Sequence, residues 1–181
     1  MKIQPLHAVN DGLINTHSGI LLDINDPKPE MFNIDDIARG LSNTCRFGGQ
    51  IRQNYNVAQH SLLVCSLAPP HLKKAALMHD ASEAYLCDIP KPFKVILGKA
   101  YEAIEERFMQ AIFERFNIPY SELNEIKEFD TKALELEHGY LRSGDFVEQM
   151  RFASICNNLL KTPLDKPVMD NEVAMSLFKL A

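Results

Sequence analysis

Two histidines and two aspartates stand where helical spacing would let them converge. His60 lies inside a mostly apolar stretch running from Val57 to Ala68. His79 and Asp80 are adjacent and follow Ala75-Ala76-Leu77-Met78, a setting in which an unpaired charge is costly enough to demand a partner or a metal. Asp130 comes four residues after Ile126 and seven after Leu123, which puts it on the inward face of a helix. Neutral imidazoles and carboxylates meeting at one point are the donors that divalent first-row metals take. Glu83 follows His79 by four residues and Asp80 by three, so it shares their face and reaches a water in the same site. Asp88 follows at the helix exit, close enough to join that water network. Arg46, Arg52, Lys91 and Lys94 fall in loops beside these helices and supply the positive groups that a phosphate ester requires.

Each of these residues also has a bland reading. His60 alone reads as a hydrogen-bonded core histidine, Asp130 as a cap or ion-pair partner, Glu83 as a solvated helix residue and Asp88 as a turn residue. The His-Asp dipeptide carries little on its own, since a shuffled chain of this composition contains about 0.4 of them.

The elements that must position these residues read as almost entirely helical. Gly19-Ile20-Leu21-Leu22-Asp23-Ile24, flanked by glycine and proline, predicts a small strand or hairpin. Asn33 or Asp35 caps a first helix carrying Ile34, Ile37, Ala38 and Leu41, which ends at Phe47-Gly48-Gly49. A second helix runs from Val57 to about Ala68 and stops at Pro69-Pro70. A third runs from His71 to about Cys87 and stops at the loop Asp88-Ile89-Pro90-Lys91-Pro92. Tyr101, Ile104, Phe108, Ala111, Ile112 and Phe116 keep helical period between Gly98 and Asn117, and another helix opens at Ser121-Glu122 and runs through Tyr140. Helical stretches at Phe146 to Leu160 and Asn171 to Leu180 close the chain. With no repeat or linker, residues 1–181 read as one all-α domain with a minor N-terminal hairpin.

Composition narrows the function classes. The 181 residues are 46% hydrophobic and 24% charged, enough to bury a sizeable core, and no apolar run approaches the ~18 residues of a membrane span. The formal net charge is -5 with basic residues scattered, which argues against a nucleic-acid binder. Cys45, Cys65, Cys87 and Cys156 have no Cys-x-x-Cys spacing and read as buried thiols in a reducing compartment. The start, Met-Lys-Ile-Gln-Pro-Leu-His, has neither a long apolar core nor a small-residue cleavage site behind it, which predicts a cytoplasmic protein.

The ordered set His60, His79-Asp80-Ala81-Ser82-Glu83, Asp88-Ile89-Pro90-Lys91-Pro92-Phe93-Lys94 and Asp130 resembles the HD-domain metal-dependent phosphohydrolases. Asp35-Asp36-Ile37-Ala38-Arg39-Gly40-Leu41-Ser42, Cys45-Arg46-Phe47-Gly48-Gly49 and Tyr55-Asn56-Val57-Ala58-Gln59-His60-Ser61 extend the resemblance over about residues 16–140. It implies a helical bundle in which His60, His79, Asp80 and Asp130 hold one divalent metal, namely zinc, cobalt, manganese or iron. It further implies that Glu83 and Asp88 are catalytic or orient water, that Arg46 and Phe47 contact deoxyribose and phosphate, and that Lys94 faces phosphate. The segment Thr16-His17-Ser18-Gly19 is similar to one in phage-type dATP triphosphohydrolases, which deplete dATP where diaminopurine replaces adenine, and this adds Ser18 and Gly19 as substrate contacts.

The expected reaction is attack of water at the α-phosphorus of a deoxynucleoside triphosphate, releasing deoxynucleoside and triphosphate, with a second cation such as magnesium or cobalt on the phosphate tail. The same ligand set also suits a 5'-nucleotidase acting on deoxynucleoside monophosphates. A third reading is a non-catalytic HD domain that binds nucleotide and regulates a partner. The resemblance also suggests a homo-oligomer such as a hexamer, with aromatics of the helix between Gly98 and Asn117 as a candidate interface.

Overall fold

The computed structural model describes residues 12–51 and 55–143. The stretches predicted as helices at Phe146 to Leu160 and Asn171 to Leu180, together with Arg52 and Cys156, lie outside the described residues.

Strands β1 (Leu13–Asn15) and β2 (Leu21–Asp23) pair antiparallel with Ile14 opposite Leu22. The turn between them closes through Thr16 N to Ile20 O at 3.0 Å, and Gly19 takes the positive φ of 88° that glycine adopts without strain. Leu22 is fully buried, so the hairpin is fastened to the helical core.

Helix α1 (Ile34–Asn43) starts where Asn33 accepts a hydrogen bond from the Asp36 amide at 2.8 Å, an N-cap that satisfies an otherwise orphan donor. Its apolar residues Ile37, Ala38 and Leu41 are fully buried, as their spacing predicts. Helix α2 (Val57–Leu67) is held by a reciprocal capping box between Asn56 and Gln59, with both contacts at 3.0 Å. Every residue from Val57 to Cys65 is buried, so α2 is the central helix, packed against α1, α3 and α7. A polar side chain on such a helix must be fully partnered, and His60 sits in its middle.

The predicted single helix from His71 to Cys87 is instead two. Helix α3 (Lys73–Met78) and helix α4 (Glu83–Leu86) are separated by His79–Ser82, where i to i+3 bonds such as Ala81 N to Met78 O at 3.0 Å and Glu83 N to Asp80 O at 2.9 Å tighten the backbone. Successive residues of a regular helix point about 100° apart, so the break is what lets the neighbours His79 and Asp80 face one point. The predicted loop at Asp88–Pro92 is likewise corrected in part. Lys91–Leu97 forms helix α5, with Pro92 in its first turn, where a missing amide costs nothing.

Helix α6 (Lys99–Arg115) buries Phe108 and Phe113 completely, and Phe116 packs against the core from its edge. Phe32, Tyr85 and Phe108 form an edge-to-face cluster with centroids 5.4–6.1 Å apart. Phe108 and Phe113 are therefore core and offer no exposed surface on α6. The exposed apolar residues lie on α5 instead: Phe93, Val95, Ile96 and Leu97. Helix α7 (Glu122–Ser143) crosses α2 and α3 and seals the bundle with Ile126 and Ala133. Of the cysteines, Cys65 is buried as expected, whereas Cys45 and Cys87 are exposed. Among the described residues no helix is long and apolar enough to cross a membrane.

Candidate metal centre

Three elements deliver the four predicted ligands to one place. Helix α2 supplies His60, the break between α3 and α4 supplies His79 and Asp80, and the middle of α7 supplies Asp130. His60 Nε2 lies 3.3 Å from His79 Nε2, 3.1 Å from Asp130 Oδ1 and 3.5 Å from Asp80 Oδ2. His79 Nε2 lies 3.2 Å from Asp80 Oδ2 and 3.9 Å from Asp130 Oδ1. Bonds of 2.0–2.1 Å impose ligand-to-ligand edges of about 2.8 Å at octahedral angles up to about 3.4 Å at tetrahedral ones. Most of the five distances match that range.

The donor atoms of His60, His79 and Asp130 all lie within 4.8 Å of one another, and Asp80 Oδ2 is as close to both imidazoles. Two imidazole nitrogens facing each other at hydrogen-bond distance need something positive between or beside them, either a proton or a cation. The donor chemistry thus fits a divalent metal. The site also opens on one side only: the His60 side chain is fully buried and that of His79 6% exposed, whereas that of Asp130 is 44% exposed.

Both histidines are held from behind. His79 Nδ1 meets the Ala76 carbonyl at 2.8 Å, which leaves Nε2 to the cluster. His60 Nδ1 meets Glu137 Oε1 at 2.5 Å. Glu137, fully buried in α7, also accepts from the Tyr55 hydroxyl at 2.9 Å and from Arg46 Nη2 at 3.1 Å. Glu137 is the residue that the sequence reading missed.

The electrostatics follow from this packing. Burial lowers the pKa of His60, and the Glu137 carboxylate more than reverses it, pushing the imidazole up to about 9. Burial would raise Asp80, yet His79, His60 and Arg46 outweigh it and hold the carboxyl far below its ordinary value. Glu83 moves the opposite way: burial, then the charges of Asp80 and Asp88, raise it well above the ordinary carboxylate range. Asp88 is raised as well, chiefly by burial. Glu83 Oε2 is buried with no hydrogen-bond partner among the described residues.

The remaining predicted residues divide. Arg46 is a buried ion-pair member rather than a surface charge, with Nη1 3.7 Å from Asp80 and the guanidinium stacked over Phe47 at 5.2 Å. Phe47 holds a positive φ of 57° and tilts against His138 at 5.8 Å. Lys94, on α5 rather than in a loop, reaches Glu105 at 2.6 Å and Glu83 at 3.5 Å. A cavity of about 400 Å³ opens beside the cluster, lined by His79, Asp80 and Asp130 at one end and by Lys94, Lys127, Glu102, Glu105 and Glu106 further out. Ser18 and Gly19 are not brought to this cavity. The Ser18 amide and hydroxyl bind the Asp36 carboxylate at 2.8 and 2.6 Å, and Gly19 faces open space.

No protein-family model matches the chain. Part of it is 46% identical, over 86 residues, to the uncharacterized protein YfdR of Escherichia coli K12, a match covering 48% of each chain. Another match, 41% identical over 111 residues, is to an uncharacterized protein of Rhodobacter capsulatus and covers 56% of this chain and 57% of the relative. The chain thus spans about half the length of the curated relatives it matches.

Proposed function

We propose that the chain is an HD-type metal-dependent phosphohydrolase acting on deoxynucleotides, with dATP, cleaved to deoxyadenosine and triphosphate, as its substrate. The observation that carries the reading is the convergence of His60, His79, Asp80 and Asp130 at metal-ligand spacing, with a buried Glu83 carboxyl whose Oε2 has no partner among the described residues. A binding module has no need of that carboxyl, which weighs against a purely regulatory role. The proposal includes a cytoplasmic location and a homo-oligomer, the latter supported by the exposed apolar residues of α5.

When bound, a divalent cation polarises a phosphoryl oxygen and lowers the pKa of a water from 15.7 to about 7. The rest is the work of side chains. Asp80 and Asp130 stay ionised and supply the negative charge of the ligand set, while His60 and His79 present Nε2. Glu83, raised by burial and by Asp80 and Asp88, is poised to accept and return a proton as the water attacks phosphorus. Asp88 steadies the Phe47 loop through its backbone. Lys94, tethered between Glu83 and Glu105, places a positive charge at the cavity wall where non-bridging oxygens would lie.

One observation favours a second reading. The cavity carries Asp80, Asp130, Glu102, Glu105 and Glu106 against Lys94 and Lys127, a poor match for a polyanionic tail without added cations. A deoxynucleoside monophosphate brings less charge, as in a 5'-deoxynucleotidase. Chromatography of products from the four dNTPs, the four dNMPs and ATP, with cobalt, manganese, zinc and magnesium in parallel, separates these readings. Deoxyadenosine plus intact triphosphate from dATP supports the first. Orthophosphate from monophosphates, with triphosphates untouched, replaces it with the second.

A further inference from the structure

We propose that Glu137 is a positioning residue of the metal centre, fixing the proton of His60 on Nδ1 so that Nε2 is the donor atom, and tying Arg46 to the same support. The inference rests on reading His60 as a ligand. Glu137 follows Asp130 by seven residues and therefore lies on the same side of α7, about two turns further along. It is fully buried, and its two oxygens are committed to three donors from outside α7: Oε1 to His60 Nδ1 and the Tyr55 hydroxyl, Oε2 to Arg46 Nη2.

The contact to His60 comes from the side of the ring opposite the cluster. A neutral imidazole has one N–H, and an acceptor at Nδ1 draws it there, leaving the Nε2 lone pair aimed between His79 and Asp130. Without that acceptor the ring is free to place its proton on Nε2, the wrong nitrogen for a cation. The second contact holds Arg46 between Glu137 at 3.1 Å and Asp80 at 3.7 Å, so one carboxylate orders a ligand and a neighbouring cation together. If Glu137 were only a core ion-pair partner for Arg46, the short contact to His60 Nδ1 would have no consequence for metal binding.

The test uses the full chain loaded with zinc. Imidazole 15N–1H correlation spectra of the wild type should show His60 protonated on Nδ1 and ligated through Nε2; ligation through Nδ1 overturns the inference without any variant. E137Q keeps the volume and one acceptor but removes the charge. Chelator competition should find its zinc affinity reduced about 10–100-fold, the range for residues that orient a metal ligand, with the His60 Nδ1–H resonance shifted upfield. Y55F, which leaves the contacts to His60 and Arg46 in place, should retain most of the wild-type affinity. E137Q with unchanged affinity and an unmoved resonance, or Y55F as weak as E137Q, makes Glu137 purely structural. Wild-type protein that binds no zinc instead removes the metal reading itself.

Discussion

The Nε2 atoms of His60 and His79 face each other at 3.3 Å, one delivered by a buried central helix and the other by a break in the backbone. The pair therefore has a strong demand for a shared positive charge, and Asp130 completes the grip from a partly exposed position. Asp130→Asn keeps the shape but weakens the donor. We expect it to fold with a near-native Tm and to lose metal affinity by more than about 100-fold, beyond the loss from a residue that merely orients a ligand. Metal content after dialysis is the measurement, and a stoichiometric D130N protein would contradict the assignment.

Glu83 is predicted to act on the reaction and not on binding. Glu83→Gln retains the side-chain volume while removing the basic carboxylate, so metal and nucleotide affinity should persist while kcat falls about 10²–10⁴-fold. Unchanged turnover would mean that the buried carboxyl beside Asp80 is only packing.

The pH dependence of stability should reverse on metal binding. In the metal-free protein the His60 pKa stands near 9 against an ordinary 6.5, so its stabilising contribution is complete below 6.5 and disappears as pH rises to 9. Glu137 is depressed below 4.5, burial notwithstanding, by His60 and Arg46, so its contribution is present above 4.5 and vanishes as pH falls through the lowered value. Metal requires neutral imidazoles, so the loaded protein should gain stability over the same alkaline interval. Thermal melts of stripped and zinc-loaded protein from pH 6.5 to 9 should therefore slope in opposite senses. Parallel slopes would show that His60 is not a ligand.

Gly40 sets how closely α1 approaches α4. A Cβ at this position would lie 2.6 Å from the Ala84 carbonyl oxygen and 2.8 Å from its Cα, backbone that cannot yield without moving Glu83 next door. Gly40→Ala should cost about 1–3 kcal/mol by overpacking and lower the Tm and kcat together. A variant with wild-type melting and turnover would show that the two helices are loosely held.

Much of this arrangement was legible before the structure. The apolar period gave α1, α2, α6 and α7, and the stop at Pro69-Pro70 bounded α2, whereas α1 ends at Asn43, short of the expected Phe47-Gly48-Gly49. His60, His79, Asp80 and Asp130 stood out singly as polar residues in apolar helical settings, and it was their order, which resembles the HD-domain phosphohydrolases, that implied one set. The break at His79–Ser82 was not legible, since no glycine or proline marks it and its pattern from Ala75 onward continues a helix. Helix α5 was hidden because Pro90 and Pro92 signal a turn as readily as a helix start. Glu137 was hidden by its neighbours: Glu135 and His138 give it the look of a solvated face, although its spacing from Asp130 and Ala133 placed it inward. Ser18, a substrate contact by the resemblance alone, bonds Asp36 through its amide and hydroxyl, a pairing that no spacing in the sequence signals.

The most direct test of the central claim is deoxynucleotide hydrolysis by chelator-stripped protein titrated with cobalt or manganese, beside E83Q and D130N. The account predicts no product without metal, wild-type turnover that rises with added metal to a plateau, a plateau about 10²–10⁴-fold lower at similar metal concentration in E83Q, and no comparable response in D130N. Absence of product from every deoxynucleoside mono- and triphosphate at any metal concentration, or equal rates in stripped and metal-loaded wild-type protein, or in loaded wild type and both variants, would contradict it.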